Sequence, residues 1–168
     1  LVTSVHLIYG EYMSCNVETL ETGNRWIISR SVDIDAPASA VFDIIADPRQ
    51  HADFDGSKTV LGLAEGPNRL ALDARFRMKM RIKVPYHISN SVVEFAEGER
   101  IAWSHLGGHR WRYEVAALTQ GTCRVTETFD ASYARSAQAL RLMNAYTNNA
   151  KAIEKTLCRL KSYAQDVA

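Results

Sequence analysis

The chain has 168 residues, enough for one domain with a single core, and its 20 Lys+Arg stand against 19 Asp+Glu. Charge so nearly balanced gives no broad field to capture a polyanion, which excludes nucleic acid as a partner. No apolar stretch approaches the ~20 residues that cross a bilayer, which excludes membrane insertion.

Residues 1–12 (LVTSVHLIYGEY) carry a short apolar patch with no basic region ahead of it and no small-residue cleavage site, so they fail as a signal peptide and a cytoplasmic location is expected. They precede Met13 and are read as an upstream extension. Residues 1–24 form an N-terminal extension in this reading, and residues 25–168 a single domain. Cys15, Cys123 and Cys158 are odd in number and lack C-x-x-C spacing, which argues against a disulfide framework and a zinc site. They read as small apolar side chains in a reducing compartment.

Residues 26–34 (WIISRSVDI) alternate and are β-branched, giving the first strand. Asp35-Ala36-Pro37 follows as a helix start, with an acidic cap candidate and a proline in the first turn, and the helix stops at Asp47-Pro48 because a residue before proline avoids the α region. Residues 49–56 predict one more helical turn ending at Gly56, with Phe54 pointing inward. From residue 58 to about 132 the pattern becomes strand runs separated by turn chemistry at Gly66-Pro67, Glu97-Gly98, Gly107-Gly108 and Gln120-Gly121, which predicts a meander with one face buried. The clearest run is 75–84 (RFRMKMRIKV). Phe76, Met78, Met80, Ile82 and Val84 share one face, and a basic row of Arg75, Arg77, Lys79, Arg81 and Lys83 forms the solvated other.

The last element is predicted as one helix of about thirty residues from Ser136, ~45 Å long, with an apolar stripe at Ala139, Met143, Tyr146, Ala150, Ile153, Leu157, Leu160 and Ala164. Packing this stripe on the apolar face of the sheet satisfies both surfaces. A strongly curved sheet does not pack flush along a straight helix, and the gap is where a pocket for a small apolar molecule forms.

Val32-Asp33-Ile34-Asp35-Ala36-Pro37 leading into Val41-Phe42, then Ala46-Asp47-Pro48, Arg100-Ile101-Ala102-Trp103, Trp111-Arg112-Tyr113-Glu114 and residues 121–128 (GTCRVTET) occur in an order and spacing that resemble the START-like helix-grip superfamily, and within it the polyketide cyclase/dehydrase-like proteins. The resemblance covers residues 25–167. It implies an α+β, Bet v 1-like fold, a curved antiparallel sheet of about seven strands around a long C-terminal helix with two short helices after the first strand. It implies no single activity, because the superfamily includes cyclases, lipid carriers, receptors and chaperone partners.

Strand alternation sorts the side chains independently of the family. Trp111, Tyr113 and Val115 point in if Arg110, Arg112 and Glu114 point out. Ile101, Trp103 and His105 share the inner face, as do Phe95, Val93, Ser91, Ser89 and His87, and so do Cys123, Val125, Glu127 and Phe129. An inward Glu127 among aromatic rings has to find a partner or hold its proton. Beside His105 or His109 it is a candidate general acid or base; the alternatives are an arginine partner at the rim, or a bulge that inverts the strand. Likewise the two histidines, flanking Gly107-Gly108, are either catalytic or simply solvated at a hairpin end. Phe54, Phe76, Met78, Met80, Trp103, Trp111, Tyr113 and Val125, with Met143 and Tyr146 from the helix, are core and, in the same orientation, the wall of a pocket. His51 and His87 stand alone and His6 lies in the extension, so no metal is expected and no cofactor is required.

Three readings follow: a carrier of a hydrophobic or aromatic molecule such as a polyketide, lipid or quinone; a polyketide cyclase or dehydratase using Glu127 and His105; and a co-chaperone-like interaction domain without a ligand. A homodimer is compatible with each.

Overall fold

The alternating runs become strands and the two proline signals bracket the first helix. A computed structural model of the chain describes residues 15–167. The expectations for residues 1–12, His6 and Met13 fall outside them. In chain order the elements are β1 (Glu18–Leu20), β2 (Ile27–Ile34), α1 (Ala38–Ala46), α2 (His51–Phe54), β3 (Val60–Glu65), β4 (Arg75–Arg81), β5 (Pro85–Ala96), β6 (Arg100–His105), β7 (Arg110–Ala117), β8 (Cys123–Asp130), α3 (Ala137–Leu142) and α4 (Ala145–Val167).

The strands form one curved antiparallel sheet of 8 strands in the order β1-β2-β8-β7-β6-β5-β4-β3, one more than expected because Glu18–Leu20 adds an edge strand beside β2. Residues from β3 to β8 make the meander, and β2 closes against β8 in an unbroken register from Ile27↔Asp130 to Ile34↔Cys123. This is the START-like helix-grip arrangement. The stripe Ile153, Leu157, Leu160 and Ala164 on α4 is fully buried, and α4 packs chiefly on β2, α2 and β8. Val41, Phe42, Ile44 and Ile45 of α1 extend the same core.

Pro37 itself occupies the N-cap of α1 with no side-chain hydrogen bond, so Asp35 does not cap the helix. Asp47 is extended ahead of Pro48, as that proline requires. After the single turn of α2, Gly56 donates its N–H to Thr156 Oγ1 at 2.9 Å. A Cβ there would lie 2.2 Å from the Thr156 nitrogen, so only glycine lets this loop touch α4.

Several expectations are corrected. The run at 75–84 leaves the sheet at Arg81, which pairs with Pro85; the three intervening residues reverse the chain, leaving Ile82 71% and Val84 69% exposed rather than on the inner face. The basic row lies on the outer face as expected, with Arg75, Arg77, Lys79 and Arg81 exposed. On β5, Asn90 and Val92 are buried and His87 and Ser89 exposed, the reverse of the expected parity, and a bulge between Val92 and Glu94 resets the alternation. On the outer face Glu94 accepts from Arg112 at 2.8 Å and Arg110 at 3.1 Å, so both arginines point out as read.

The C-terminal helix is two helices. Asn144 adopts φ 58, a left-handed conformation that asparagine tolerates and that ends α3, and Met143, Leu142 and Ala139 are exposed. Stripe periodicity continued across the break because a one-residue interruption shifts it little. The cysteines are corrected too: Cys15 and Cys158 form a disulfide across 143 residues with Cα atoms 5.6 Å apart, and Cys123 alone is a buried free thiol. An odd count still permits one pair and a spare, and a pairing of such long range leaves no spacing signature.

Candidate functional site on the inner face of the sheet

The one-turn helix α2 lays His51 and Phe54 against the inner face, where β4, β6 and β7 present Phe76, Trp103 and Tyr113. The Trp103 ring stacks on His51 at 5.1 Å and on Tyr113 at 5.5 Å, while Phe76 meets it edge-on at 5.8 Å. Phe54 meets Tyr113 edge-on at 6.4 Å. His51, which the sequence left without a role, is buried at 6% exposure; its Nε2 pairs with the Ile45 carbonyl at 2.8 Å, and burial pushes its pKa down, so it is a neutral aromatic plate.

Glu127 faces the same nest. It is 3% exposed, opposite Tyr113 on β7 and Arg30 on β2, and no bulge interrupts either ladder. The arginine across the ladder does not neutralise it: Arg30 turns to Glu154 of α4 at 3.4 Å. Glu127 Oε2 has no hydrogen-bond partner. Burial pushes its carboxyl up to about 8, a hydrogen bond with the Tyr113 phenol works against that rise, and the nearby charge of Asp55 adds to it. At neutral pH the group is largely the protonated acid, a donor held among rings beside a second hydroxyl.

His105 and His109 close the β6–β7 turn with ring centroids 4.1 Å apart, and His109 packs on Phe129 at 5.2 Å. Burial lowers both pKa values, that of His109 to about 4 with the help of His105, so both are neutral imidazoles. Neither meets Glu127. His109 borders Phe129, two positions farther along β8, ~7 Å by strand rise, His105 lies against His109, and the polar neighbours of the carboxyl are Tyr113 and Asp55. The turn is held down on the segment before α3: Arg135 N–H donates to the Gly107 carbonyl at 3.0 Å, and a Cβ on Gly108 would lie 2.6 Å from the Tyr133 oxygen.

The candidate wall divides in two. Phe54, Phe76, Met78, Tyr113 and Val125 are sealed in the core, whereas Met80, Trp103, Trp111 and Tyr146 are half-buried at its margin. Trp111 and Tyr146 both pack on Phe129, at 5.0 and 5.8 Å. Ile88 and Leu140 belong to this half-buried rim, and alternation missed Ile88 because of the β5 bulge. Met143 does not join it, being 74% exposed at the helix break.

Two surface hollows lie elsewhere: one of about 580 Å³ beside Cys15, Gly56, Lys155 and Cys158, and one of about 320 Å³ along the β1–β2 hairpin. No group of three or more metal-ligating side chains converges among the described residues, and no helix there is long and apolar enough to cross a membrane.

The family model for polyketide cyclase / dehydrase and lipid transport proteins matches residues 25–165. The uncharacterized protein Rv0088 of Mycobacterium tuberculosis is 38% identical over 156 residues, 90% of this chain and 68% of its own length. Among solved structures, the Zhui aromatase/cyclase of a Streptomyces species superposes with a TM-score of 0.63 at 14% identity, covering 83% of this chain and 93% of that one. A START superfamily protein of Mycobacterium smegmatis gives 0.61 at 13% identity, over 84% and 99% of the two chains. At such low identity these structural likenesses speak for the fold. With nearly the whole domain matched by the family model and a bacterial relative aligned along most of its length, the chain belongs to the polyketide cyclase / dehydrase and lipid transport family.

Proposed function

We propose that this protein binds a small hydrophobic or aromatic molecule, of polyketide, lipid or quinone type, between the inner face of the sheet and the C-terminal helices. The observation that carries the reading is the set of half-buried side chains Met80, Ile88, Trp103, Trp111 and Tyr146 packed against the core. Aromatic and thioether side chains at an unsealed edge of a core lose little by exchanging neighbour contacts for a flat apolar guest. Entry runs between the β6–β7 turn and the α3–α4 break, and rotation of the two indoles opens the interior. Family membership supports a guest of this class, and neutral His105 and His109 at the rim offer hydrogen bonds to a carbonyl or hydroxyl without a charge to desolvate.

Titration with the apolar probe N-phenyl-1-naphthylamine tests this: saturable fluorescence enhancement is expected, weakened at least about tenfold in Trp111→Ala. Unsaturable uptake, or full uptake by that variant, would reject the assignment.

The protonated Glu127 favours a second reading, a cyclase or dehydratase. An acid with a pKa of about 8 next to a phenol can protonate a ketone oxygen of a bound polyketide as an enol carbon of the same chain attacks it; the enol O–H proton then departs with the new hydroxyl as water while the carboxylate takes the α-proton. Tyr113 would position that carboxyl. Turnover of a poly-β-ketone thioester by the wild type, lost in Glu127→Gln while probe binding persists, is the expected result; equal turnover by both would remove Glu127 from the chemistry, and no turnover by either would confine the protein to carriage.

A further inference from the structure

Besides the β1–β2 turn and the lead-in to β3, antiparallel alternation sends three segments to the same end of the sheet: the β4–β5 turn, the β6–β7 turn, and the chain from the end of β8 through α3 to the helix break. Their large apolar side chains are bare. Leu142 is 90% exposed, Leu106 80%, Met143 74%, Ile82 71% and Val84 69%. His105 pairs with Asn90 while the ladder of β5 continues to Pro85, so the β4–β5 hairpin extends past its neighbour by five residues, ~17 Å of strand.

The charge on these segments has one sign. Residues 81–87, 105–109 and 131–144 contain no aspartate or glutamate, and they carry Arg81, Lys83, Arg135 and Arg141, all exposed. None of these cations is ion-paired among the described residues, and neither are Arg75 and Lys79 on the outer face of the same hairpin. In a chain of net charge +1 these three segments are uniformly basic, whereas the β1–β2 turn and the lead-in to β3 carry Glu21 and Asp55.

We propose that this end docks on the surface of an anionic lipid bilayer, with Ile82, Val84, Leu106, Leu142 and Met143 entering the headgroup region and Arg81, Lys83, Arg135 and Arg141 meeting the lipid phosphates. Bare aliphatic side chains beside unpaired cations are the chemistry of interfacial binding, in which apolar area and attraction to anionic headgroups add. The element arrangement suits it, since the apolar groups sit on separate turns at one end and not on a continuous groove that would fit a peptide strand or helix. Docking stands apart from the carrier reading and requires no guest, though it would turn the rim toward the membrane.

Flotation with vesicles of phosphatidylcholine, alone or mixed with phosphatidylglycerol, tests the proposal on the full chain. Association with the mixed vesicles only is expected, lost on raising salt. Each cation near the surface is worth about a fivefold change in partitioning, so Arg81→Glu with Lys83→Glu should lower it by more than tenfold. Leu142→Ser with Met143→Ser, on a different element, should weaken it too, with unchanged circular dichroism. Ile82→Cys labelled with an environment-sensitive dye should shift to the blue on the mixed vesicles. Failure to float with the mixed vesicles, or flotation unaffected by both double variants, would overturn the proposal. A label that stays solvent-like on bound protein would overturn the insertion of Ile82, and binding to a soluble acidic protein but not to vesicles would assign the patch to a protein partner.

Discussion

Glu127 gives the molecule a pH signature that can be read in either direction. Its folded pKa of about 8 stands above the ordinary carboxyl value, so the folded protein keeps a proton that the unfolded chain has lost. Stability therefore falls as pH rises from about 4.5 to about 8 and is level beyond; at about 1.4 kcal/mol per pH unit the loss amounts to several kcal/mol. The histidines act oppositely. His51, His105 and His109 have lowered folded pKa values, so their contribution is present above about 6.5 and is lost as pH falls. Glu127→Gln keeps the shape and removes only the first effect. Urea unfolding of both proteins at pH 5 and pH 8 should show the variant gaining about 3–4 kcal/mol relative to wild type at the higher pH. An unchanged difference between the two pH values would mean that the carboxyl is ionised in the fold. Trp103, stacked between His51 and Tyr113, should cost about 3–5 kcal/mol as Trp103→Ala, and a loss below 1 kcal/mol would contradict its place in the nest.

At the level of elements, two features decide how the last helices hold the sheet. The Cys15–Cys158 disulfide ties the segment ahead of β1 to the middle of α4, closing a loop of 143 residues, for which chain entropy implies about 5 kcal/mol and disulfides typically deliver about 2–4. Cys15→Ser with Cys158→Ser should unfold at correspondingly lower urea, and reduction of the wild type should reproduce the shift. If neither treatment moves the midpoint, the tether does not constrain the fold. The break at Asn144 is the second feature. Glycine fits φ 58 without strain and a β-branched residue does not, so Asn144→Gly should be neutral or slightly stabilising and Asn144→Val should cost about 1–2 kcal/mol. Equal stability of the two would indicate a continuous helix through that position.

Across the whole molecule, what the sequence disclosed followed from period and punctuation. Alternation put Trp103, Tyr113, Val125 and Glu127 on the inner face because β6, β7 and β8 pair without a bulge, and proline bounded α1. Where one residue changes the count, the same logic failed. The bulge at Val92/Glu94 hid Ile88 and wrongly turned His87 inward, and the left-handed Asn144 split a helix whose stripe looked continuous. Pairings distant in sequence left no local trace, as with Cys15 and Cys158, or with His51 beneath Trp103. The separation of the histidines from Glu127 belongs with these, because alternation fixes a face but not a distance along it.

Entry of a guest at the aromatic rim would be seen most directly in chemical-shift mapping of the indole N–H signals during titration with N-phenyl-1-naphthylamine. Saturable shifts are expected at Trp103 and Trp111, with little change around Cys158. Shifts confined to the hollow beside that cysteine, with both indoles unmoved, would contradict entry at the rim.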